Sequence, residues 1–524
     1  MIFSSLYHPI LFRVQIGSIS YLCRPMSTSE NATTDILSAN YLPWLKGHEI
    51  FTLVGKLADE LGLETYLIGG FVRDLILNRE SKDADFVTLG DCLPLAEKLA
   101  ETFGPHCEVG HFKNFGTAQV KHKDWVLEFV SARKESYRSD SRKPEVEPGT
   151  LEEDQNRRDL TINSLAISLN KKTFGKWLDP FGGLTDLKNK IIRTPQEPER
   201  TFSDDPLRMM RAIRFAAQLG FDIEADTFGG IQNMKERIRI ISGERISDEL
   251  NKIIQVPSPS YGFKLLYYSG LLKEIFPEMV ALAGVENKDG KAHKDNFFHT
   301  LEVLDNTAAR SKNLWLRWAA VLHDIAKPAT KRFVQGEGWT FHGHEEKGAH
   351  MVPGIFKKLR LPLNEHMKYV QKIVRLHLRP ISLTNEAVTD SAVRRLMYEA
   401  GPDLEDLMIL CRADVTTKNP NKAKRYLEKF DRVDEKIAEV GEKDKLRLFQ
   451  PLLTGEMIME VFALKPGKEI GIIKEQIREA ILEGHIKNTL PECLFMAMKL
   501  AAEIDLSPAP GFDPEAFISA REAE

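Results

Sequence analysis

Gly69-Gly70-Phe71-Val72-Arg73-Asp74, followed by Lys82-Asp83-Ala84-Asp85, is the stretch that decides the fold. The apolar triplet Tyr66-Leu67-Ile68 reads as a short strand running into the two glycines, and Val72 to Leu77 reads as a helix. Glycines between a strand and a helix let backbone N–H groups approach phosphates closely. Asp85-Phe86-Val87-Thr88 reads as the next strand. Two residues apart in a strand, Asp83 and Asp85 point to the same face. Two carboxylates on one face can hold Mg²⁺, and Glu128 on a neighbouring strand would complete a two-metal cluster. A Gly-Gly turn or a surface Asp-x-Asp is common by itself. The two together, at this spacing, are much more specific.

Outward from that stretch, Leu53, Val54, Leu57 and Leu61 recur at helical steps before it. After it, Ala118-Gln119-Val120 and Trp125 to Val130 read as two more strands, joined by a polar turn at Lys121 to Asp124. Residues 134–156 are polar, contain Pro144 and Pro148 and show no period, so they read as a long mobile loop. Beyond Leu184 almost everything has helical period, with a break at Pro257-Ser258-Pro259-Ser260, a polar linker from Glu286 to Gly290 and a glycine interruption at Gly467 and Gly471.

Three more segments carry chemistry. Arg157-Arg158-Asp159-Leu160-Thr161-Ile162-Asn163 offers cations for a triphosphate and a carboxylate for a ribose hydroxyl; a helix with a charged first turn is the plainer reading. Asp179-Pro180-Phe181-Gly182-Gly183 reads as a turn that hinges one domain to the next. Asp204-Asp205-Pro206-Leu207-Arg208-Met209-Met210-Arg211 reads as helical, so Asp205 and Arg208 share a face. One accepts and one donates, which can mimic the Watson–Crick edge of a base; a surface ion pair is the plainer reading.

The bulk numbers restrict the rest. A chain of 524 residues exceeds one core and suggests roughly three or four units of about 100–200 residues. A formal net charge of −4 excludes holding nucleic acid by bulk attraction, though not by a local basic groove. The five cysteines show no paired spacing, so neither a disulfide framework nor a cysteine zinc site is expected. No apolar run reaches the roughly 18–20 residues a membrane span needs. Met1 to Ser29 carries Arg13, Arg24 and serines without an acidic residue. That resembles a transit peptide and would imply a mitochondrial location. A disordered leader, or a start at Met26, is the plainer expectation and implies the cytoplasm.

The four segments, in this order and at these spacings, resemble the class II tRNA nucleotidyltransferase and bacterial poly(A) polymerase family over roughly residues 45–255. The resemblance implies an α+β architecture: a polymerase-β-like head with a small mixed sheet, then helical neck, body and tail. By it, Asp83 and Asp85 bind catalytic Mg²⁺, with Glu128 as the third carboxylate. Arg158 and Asp159 contact the triphosphate and ribose, with Asn163 supporting them; Gly69, Gly70, Arg73 and Arg211 are further candidates for nucleotide binding. Asp205 and Arg208 select CTP and then ATP, and Glu244 to Leu250 supports their helix. The family usually has Glu where this chain has Asp204.

A second constellation lies further on. His299 sits in a helical pattern, His323-Asp324 ends an apolar run, and His344, His377 and Asp414 follow. This order resembles the HD metal-dependent phosphohydrolase family, in which such residues gather around one or two metals. Imidazole and carboxylate ligands suit Ni, Mn, Fe or Zn, and Lys327 would face a phosphate. His342, His350 and His366 fall outside the order and are expected to be ordinary surface or core residues.

The expected organisation is a leader at 1–42, a nucleotidyltransferase head at 43–180, a helical neck with the base-selecting helix at 181–285, an HD domain at 286–420 and a helical tail at 421–524. The expected function is addition of CMP and AMP to the 3′ end of tRNA from CTP and ATP, with no membrane partner. A poly(A) polymerase, or an enzyme adding only CC or only A, is the nearest alternative. An HD phosphohydrolase with an inactive head and a non-enzymatic RNA-binding scaffold are the others.

Overall fold

The computed structural model describes residues 41–522 apart from 108, 113–115, 137–144, 384–388, 418 and 445–449. The leader expected at 1–42 lies outside the described residues except for its last two, which already belong to a helical stretch at 41–47. The chain divides into two compact units, Met1–Pro277 and Glu278–Glu524.

The first unit begins with α1 (Glu49–Leu61), whose Phe51, Val54, Leu57 and Ala58 are buried at the predicted helical spacing. Gly62, at φ 69°, ends it in the left-handed conformation that glycine accepts without strain. Strand β1 (Glu64–Ile68) leads into α2 (Gly70–Ile76), then β2 (Asp83–Leu89), α3 (Leu93–Phe103), β3 (Val109–Phe112), β4 (Thr117–His122) and β5 (Trp125–Ser131). With β8 (Ala166–Ser168) and β9 (Trp177–Leu178) they form one sheet in the order β3-β4-β5-β2-β1-β8-β9. Strands β2 and β5 pair in parallel and all other neighbours pair antiparallel, so the sheet is mixed.

The pleat sorts side chains to two faces. Ala84 and Phe86 of β2 and Leu127 and Phe129 of β5 are buried on one face, where Phe86 stacks on Phe129 at 4.7 Å and approaches Phe51 of α1 at 6.3 Å. Asp83, Asp85 and Val87 therefore occupy the other face. Its far end is closed by a small cluster of Ile68, Val87, Ala132, Leu151 and Ala166. The near end, where the carboxylates sit, stays open.

Residues 134–156 correct the expectation of a featureless loop. Strands β6 (Arg133–Ser136) and β7 (Glu145–Pro148) pair antiparallel, and α4 (Leu151–Asn156) follows; 137–144 lie outside the described residues. An isolated two-stranded ribbon needs no apolar alternation, which is why the sequence showed no period. The helix does have a signal. Thr150 Oγ1 accepts from Glu153 N at 3.2 Å, and Glu153 Oε2 accepts from Thr150 N at 2.9 Å, a reciprocal cap.

From α5 (Gly183–Asn189) onward the unit is mostly helical, with α6 (Pro198–Asp204), α7 (Leu207–Leu219), α8 (Ala225–Met234) and α9 (Gly243–Gln255). The stretch Asp204 to Ala216 is not one helix, contrary to expectation. Pro206 has no N–H to continue α6, and Asp205 turns extended at φ −135° and ψ 102° before α7 begins.

The second unit contains α10 (Asn296–Ala308), α11 (Leu314–Leu322), α12 (His344–Lys358), α13 (Glu365–Leu376), α14 (Leu404–Ala413) and the long α15 (Pro420–Asp444). Its last helices bury Ile458, Val461, Ile473, Ile477, Leu494 and Ala497 in a core of their own. The expected linker at Glu286 to Gly290 is instead part of a small hairpin, Asn287–Lys288 paired with Lys291–Ala292, turned by Asp289 and Gly290 at positive φ.

Candidate active site and metal centre

Parallel pairing of β2 with β5 sets Asp83 opposite Val126 and Asp85 opposite Glu128. The three carboxylates of Asp83, Asp85 and Glu128 thus share the open face of the sheet. Burial, then Glu128 and Asp83, push the Asp85 carboxyl up to about 6, against the opposing pull of Arg158 and Arg211. Burial and Asp83 push Glu128 up as well. Burial and crowding thus disfavour the charged forms of Asp85 and Glu128, which is the condition a divalent cation relieves. Gly69 keeps the approach open: at φ 83° it takes a conformation that side chains resist, and a Cβ there would lie 3.0 Å from Asp85 Oδ2 and 3.2 Å from an Arg158 amine.

The arginines beside this face are held by residues that sequence reasoning missed. Asp154, brought in by α4 and buried, accepts from Arg157 Nε at 3.0 Å and from Arg158 Nη2 at 3.2 Å. A lone aspartate gives no signal in a sequence, although the Thr150–Glu153 cap did mark its helix.

Asp159 sits in a second network. It accepts from Arg211 Nε at 2.6 Å and from Asn163 Nδ2 at 3.0 Å, and Asn163 Oδ1 accepts from Arg73 Nη1 at 2.7 Å. Burial works to raise the Asp159 carboxyl, but Arg211, Asn163 and Arg208 outweigh it and hold it at about 2. Arg73 is only 4% exposed and also bonds Asp74 at 3.0 and 2.8 Å. It therefore orients Asn163 and does not itself line the open surface.

The two expected base-reading residues lie at the start of α7 and not on one helix face. Asp205 Oδ1 accepts from Leu207 N at 3.1 Å, capping that helix, and Asp205 Oδ2 accepts from Arg245 of α9 at 3.0 Å. Arg208 is largely buried and donates to the Thr201 carbonyl at 3.4 Å. A second tie from α9 is Glu249, which meets Arg214 at 2.7 Å and Lys252 at 3.3 Å. The hinge turn is fixed by Asp179, whose carboxylate accepts from Gly183 N at 2.7 Å and Leu184 N at 2.9 Å.

In the second unit all six residues singled out from the sequence converge. His299 Nε2 lies 3.4 Å from Asp324 and 3.0 Å from Asp414; His323 Nε2 lies 3.3 Å from Asp324 and 3.7 Å from Asp414. His344 Nε2 lies 3.2 Å and His377 Nε2 4.0 Å from the other oxygen of Asp324. Every ring is locked from behind. His323, His344 and His377 donate Nδ1–H to the carbonyls of Ala320, Phe341 and Val374 at 2.7–2.8 Å, and His299 Nδ1 meets Thr416 Oγ1 at 2.9 Å. The three carbonyls orient the rings of His323, His344 and His377, and Thr416 that of His299, so that each Nε2 turns inward. His323, Asp414 and His377 stand at the C-terminal caps of α11, α14 and α13, where the helix dipole favours a cation.

Three of those Nε2 atoms, on His323, His344 and His377, are buried without a hydrogen-bond partner. Imidazole nitrogens converging on a shared carboxylate form a donor set that suits a metal ion. Among the described residues, ligand atoms all within 4.8 Å of one another occur as His299–His323–Asp324 and as Asp324–His344–His377. The head carboxylates are set wider than that. His342 is exposed, His350 bonds its own helix through Glu346, and His366 stacks on Trp315 at 4.6 Å.

Three family models match the chain in succession: Poly A polymerase head domain over residues 65–193, Probable RNA and SrmB-binding site of polymerase A over 220–282, and HD domain over 296–419. An A-adding tRNA nucleotidyltransferase of Deinococcus radiodurans is 29% identical over 437 residues, 80% of this chain and 92% of that protein. A multifunctional CCA protein of Nitrosococcus oceani is 33% identical over 372 residues, 67% of this chain and 84% of that protein. Among solved structures, an apo CCA-adding enzyme shares the fold at a TM-score of 0.59 and 22% identity, over 86% of this chain and 93% of that one. The Thermotoga maritima CCA-adding enzyme complexed with tRNA does so at 0.55 and 23% identity, over 87% and 95%. With head, RNA-binding and HD segments in this order, and a relative one-third identical over most of its length, the chain belongs to the tRNA nucleotidyltransferase and poly(A) polymerase family and carries an HD domain.

Proposed function

We propose that this nucleotidyltransferase adds CMP and AMP to the 3′ end of tRNA from CTP and ATP, choosing the nucleotide without a nucleic-acid template. The observation that carries the reading is the placement of Asp83, Asp85 and Glu128 on one open face, within the electrostatic reach of Arg158 and Arg211. Asp83, Asp85 and Glu128 would hold Mg²⁺, which would neutralise charge on the triphosphate and lower the pKa of the attacking 3′-hydroxyl. The Gly69-Gly70 turn and Arg158 hold the phosphates, through the Gly70 N–H, because the Gly69 N–H already donates to the Leu165 carbonyl at 3.2 Å. Asp159, oriented by Asn163 and Arg211, accepts from the ribose.

Asp205 accepts from the exocyclic amine of cytosine or adenine, and Arg208 donates to the ring acceptor. Guanine and uracil present a carbonyl and a ring N–H instead, so each protein group would face its own kind. Two such buried mismatches, at about 1–3 kcal/mol each, are enough to reject GTP and UTP. Head 43–180, neck 181–285, HD 286–420 and tail 421–524 are the functional divisions that go with this reading.

The HD cluster is proposed to hold one or two divalent ions of the Ni, Mn, Fe or Zn type through His299, His323, Asp324, His344, His377 and Asp414. Bound metal supplies Lewis acidity for hydrolysis of a phosphate ester. Lys327, with Nζ 2.6 Å from Asp324 Oδ2, is the nearby cation for that phosphate.

Addition of A alone is the second reading, favoured by the Deinococcus relative, which carries that name and matches the larger share of the chain. Labelled CTP or ATP incubated with tRNAs ending −N, −C, −CC and −CCA separates the two. Extension of −N and −C substrates with CTP supports full CCA addition. Extension only of −CC with ATP refutes it in favour of the second reading.

A further inference from the structure

In helix α7, Arg214 and Phe215 follow Arg211 by three and four residues, so each neighbours Arg211 one turn on. Arg73 joins them from α2. The guanidinium carbons of Arg214, Arg73 and Arg211 lie 3.9, 4.8 and 5.5 Å from the centroid of the Phe215 ring. The ring itself is 6% exposed. Three cations around one buried phenyl are unusual, because like charges this close repel and burial strips their water. Each has an anionic partner on its outer side: Asp74 for Arg73, Asp159 for Arg211 and Glu249 for Arg214. The Phe215 ring is a surface that all three share. Its electron-rich face attracts guanidinium groups and asks for no hydrogen bond in return.

Two of these arginines are the ends of the network around Asp159. Arg211 holds one carboxylate oxygen at 2.6 Å, and Arg73 holds Asn163, which holds the other oxygen at 3.0 Å. The ring touches both arginines and so closes the loop: Phe215, Arg211, Asp159, Asn163, Arg73 and back to Phe215. An aliphatic residue of similar volume would fill the space but give the two guanidinium planes nothing to lie against.

We infer that Phe215 is a positioning residue for nucleotide binding, acting through its π-electrons on Arg211 and Arg73 and through them on Asp159. The inference rests on the proposed assignment of Asp159, Asn163 and Arg211 to the nucleotide. It predicts a dependence of nucleotide affinity on ring electron density at constant ring size, which a space-filling role does not.

The test replaces Phe215 in the full chain with 4-fluoro-, 3,5-difluoro- and 3,4,5-trifluorophenylalanine, which withdraw density stepwise at almost unchanged shape. KM for ATP, and for CTP where it is used, is measured alongside kcat, KM for tRNA and Tm. Nucleotide KM is expected to climb stepwise to about threefold to tenfold at three fluorines, with kcat and KM for tRNA steady and Tm little changed. Phe215→Leu should raise nucleotide KM at least as far. A flat nucleotide KM across the fluorinated series, with impairment appearing only in Phe215→Leu, shows that the ring acts by volume and overturns the inference while nucleotide addition stands. Failure of the unsubstituted enzyme to add any nucleotide refutes the functional reading itself, and the inference with it.

Discussion

Asp159→Asn tests whether the nucleotide pocket is held by charge or only by shape. The carboxylate is buried, and Arg211, Asn163 and Arg208 overcome the effect of burial to hold it at about 2 instead of its ordinary 3.8. At about 1.4 kcal/mol per pH unit, that difference stabilises the folded state by about 2 kcal/mol at neutral pH. The amide in Asp159→Asn keeps the size but loses the charge and one acceptor, leaving Arg211 or Asn163 short of a partner. A loss of about 2–3 kcal/mol is expected, or roughly 4–12 °C in the transition that reports the first unit. The sign with pH follows from the depressed value. The carboxylate's contribution is complete above about pH 5, begins to fall near the unfolded value and is gone below about pH 2. Urea unfolding of both proteins between pH 8 and pH 4 should therefore give a constant gap that starts to narrow only at the acid end. A double-mutant cycle with Arg211→Gln should return a coupling of about 1–3 kcal/mol. A variant within about 0.5 kcal/mol of wild type at pH 7, or a gap that widens as pH falls, would refute the argument.

Four further outcomes are expected. Asp83→Ala or Asp85→Ala should abolish nucleotide addition while tRNA affinity stays nearly unchanged; turnover within about tenfold of wild type would remove that residue from the metal site. Shortening the stretch 134–156 should spare addition of C and impair addition of A if its length makes it a lever that moves with the head; equal loss of both would point to a folding defect. His323→Ala or Asp324→Ala should lower bound transition metal, read by elemental analysis, together with any phosphoesterase activity, and leave nucleotide addition intact. Arg208→Ala should relax selectivity against GTP and UTP as well as slow the reaction; equal slowing for all four nucleotides, with preference unchanged, would assign base reading elsewhere.

What could be read from the sequence depended on whether a periodic pattern or an ordered set of residues marked the position. Asp83 and Asp85 follow from a period of two, and the buried face of α1 from a period of 3.6, so both were legible. The six HD residues were legible as an ordered set, because each falls in or at the end of a helix whose apolar pattern marks it. Asp154 was not, since nothing adjacent shows that it will be buried beneath two arginines. Phe215 carried no signal of its own, because its arginine from α2 is far away in the chain. The placement of Asp205 was misread for a local reason. Helical propensity on both sides suggested one helix, and the missing N–H of Pro206 broke it.

The two metal-binding arrangements differ in construction in a way that bears on their use. The head offers carboxylates alone, on strands, with the ligand atoms set apart and, beside them, arginines that Asp154 and Asp159 hold in place. Oxygen ligands in an open, loosely closed set suit a hard, well-hydrated cation that arrives with the substrate's phosphates and leaves with pyrophosphate. The HD cluster offers four imidazoles and two carboxylates, with every ring oriented from behind and Asp324 shared between both groups. Rigid nitrogen donors prepared before the ion arrives suit a resident transition metal that survives turnover and purification. Brief dialysis against a weak chelator should therefore strip activity that Mg²⁺ alone restores at the head, while the HD metal stays in place until a strong nitrogen-competing chelator is used. If both activities vanish together and return together with Mg²⁺ alone, the HD histidines are not the ligands of a separate, tightly held ion.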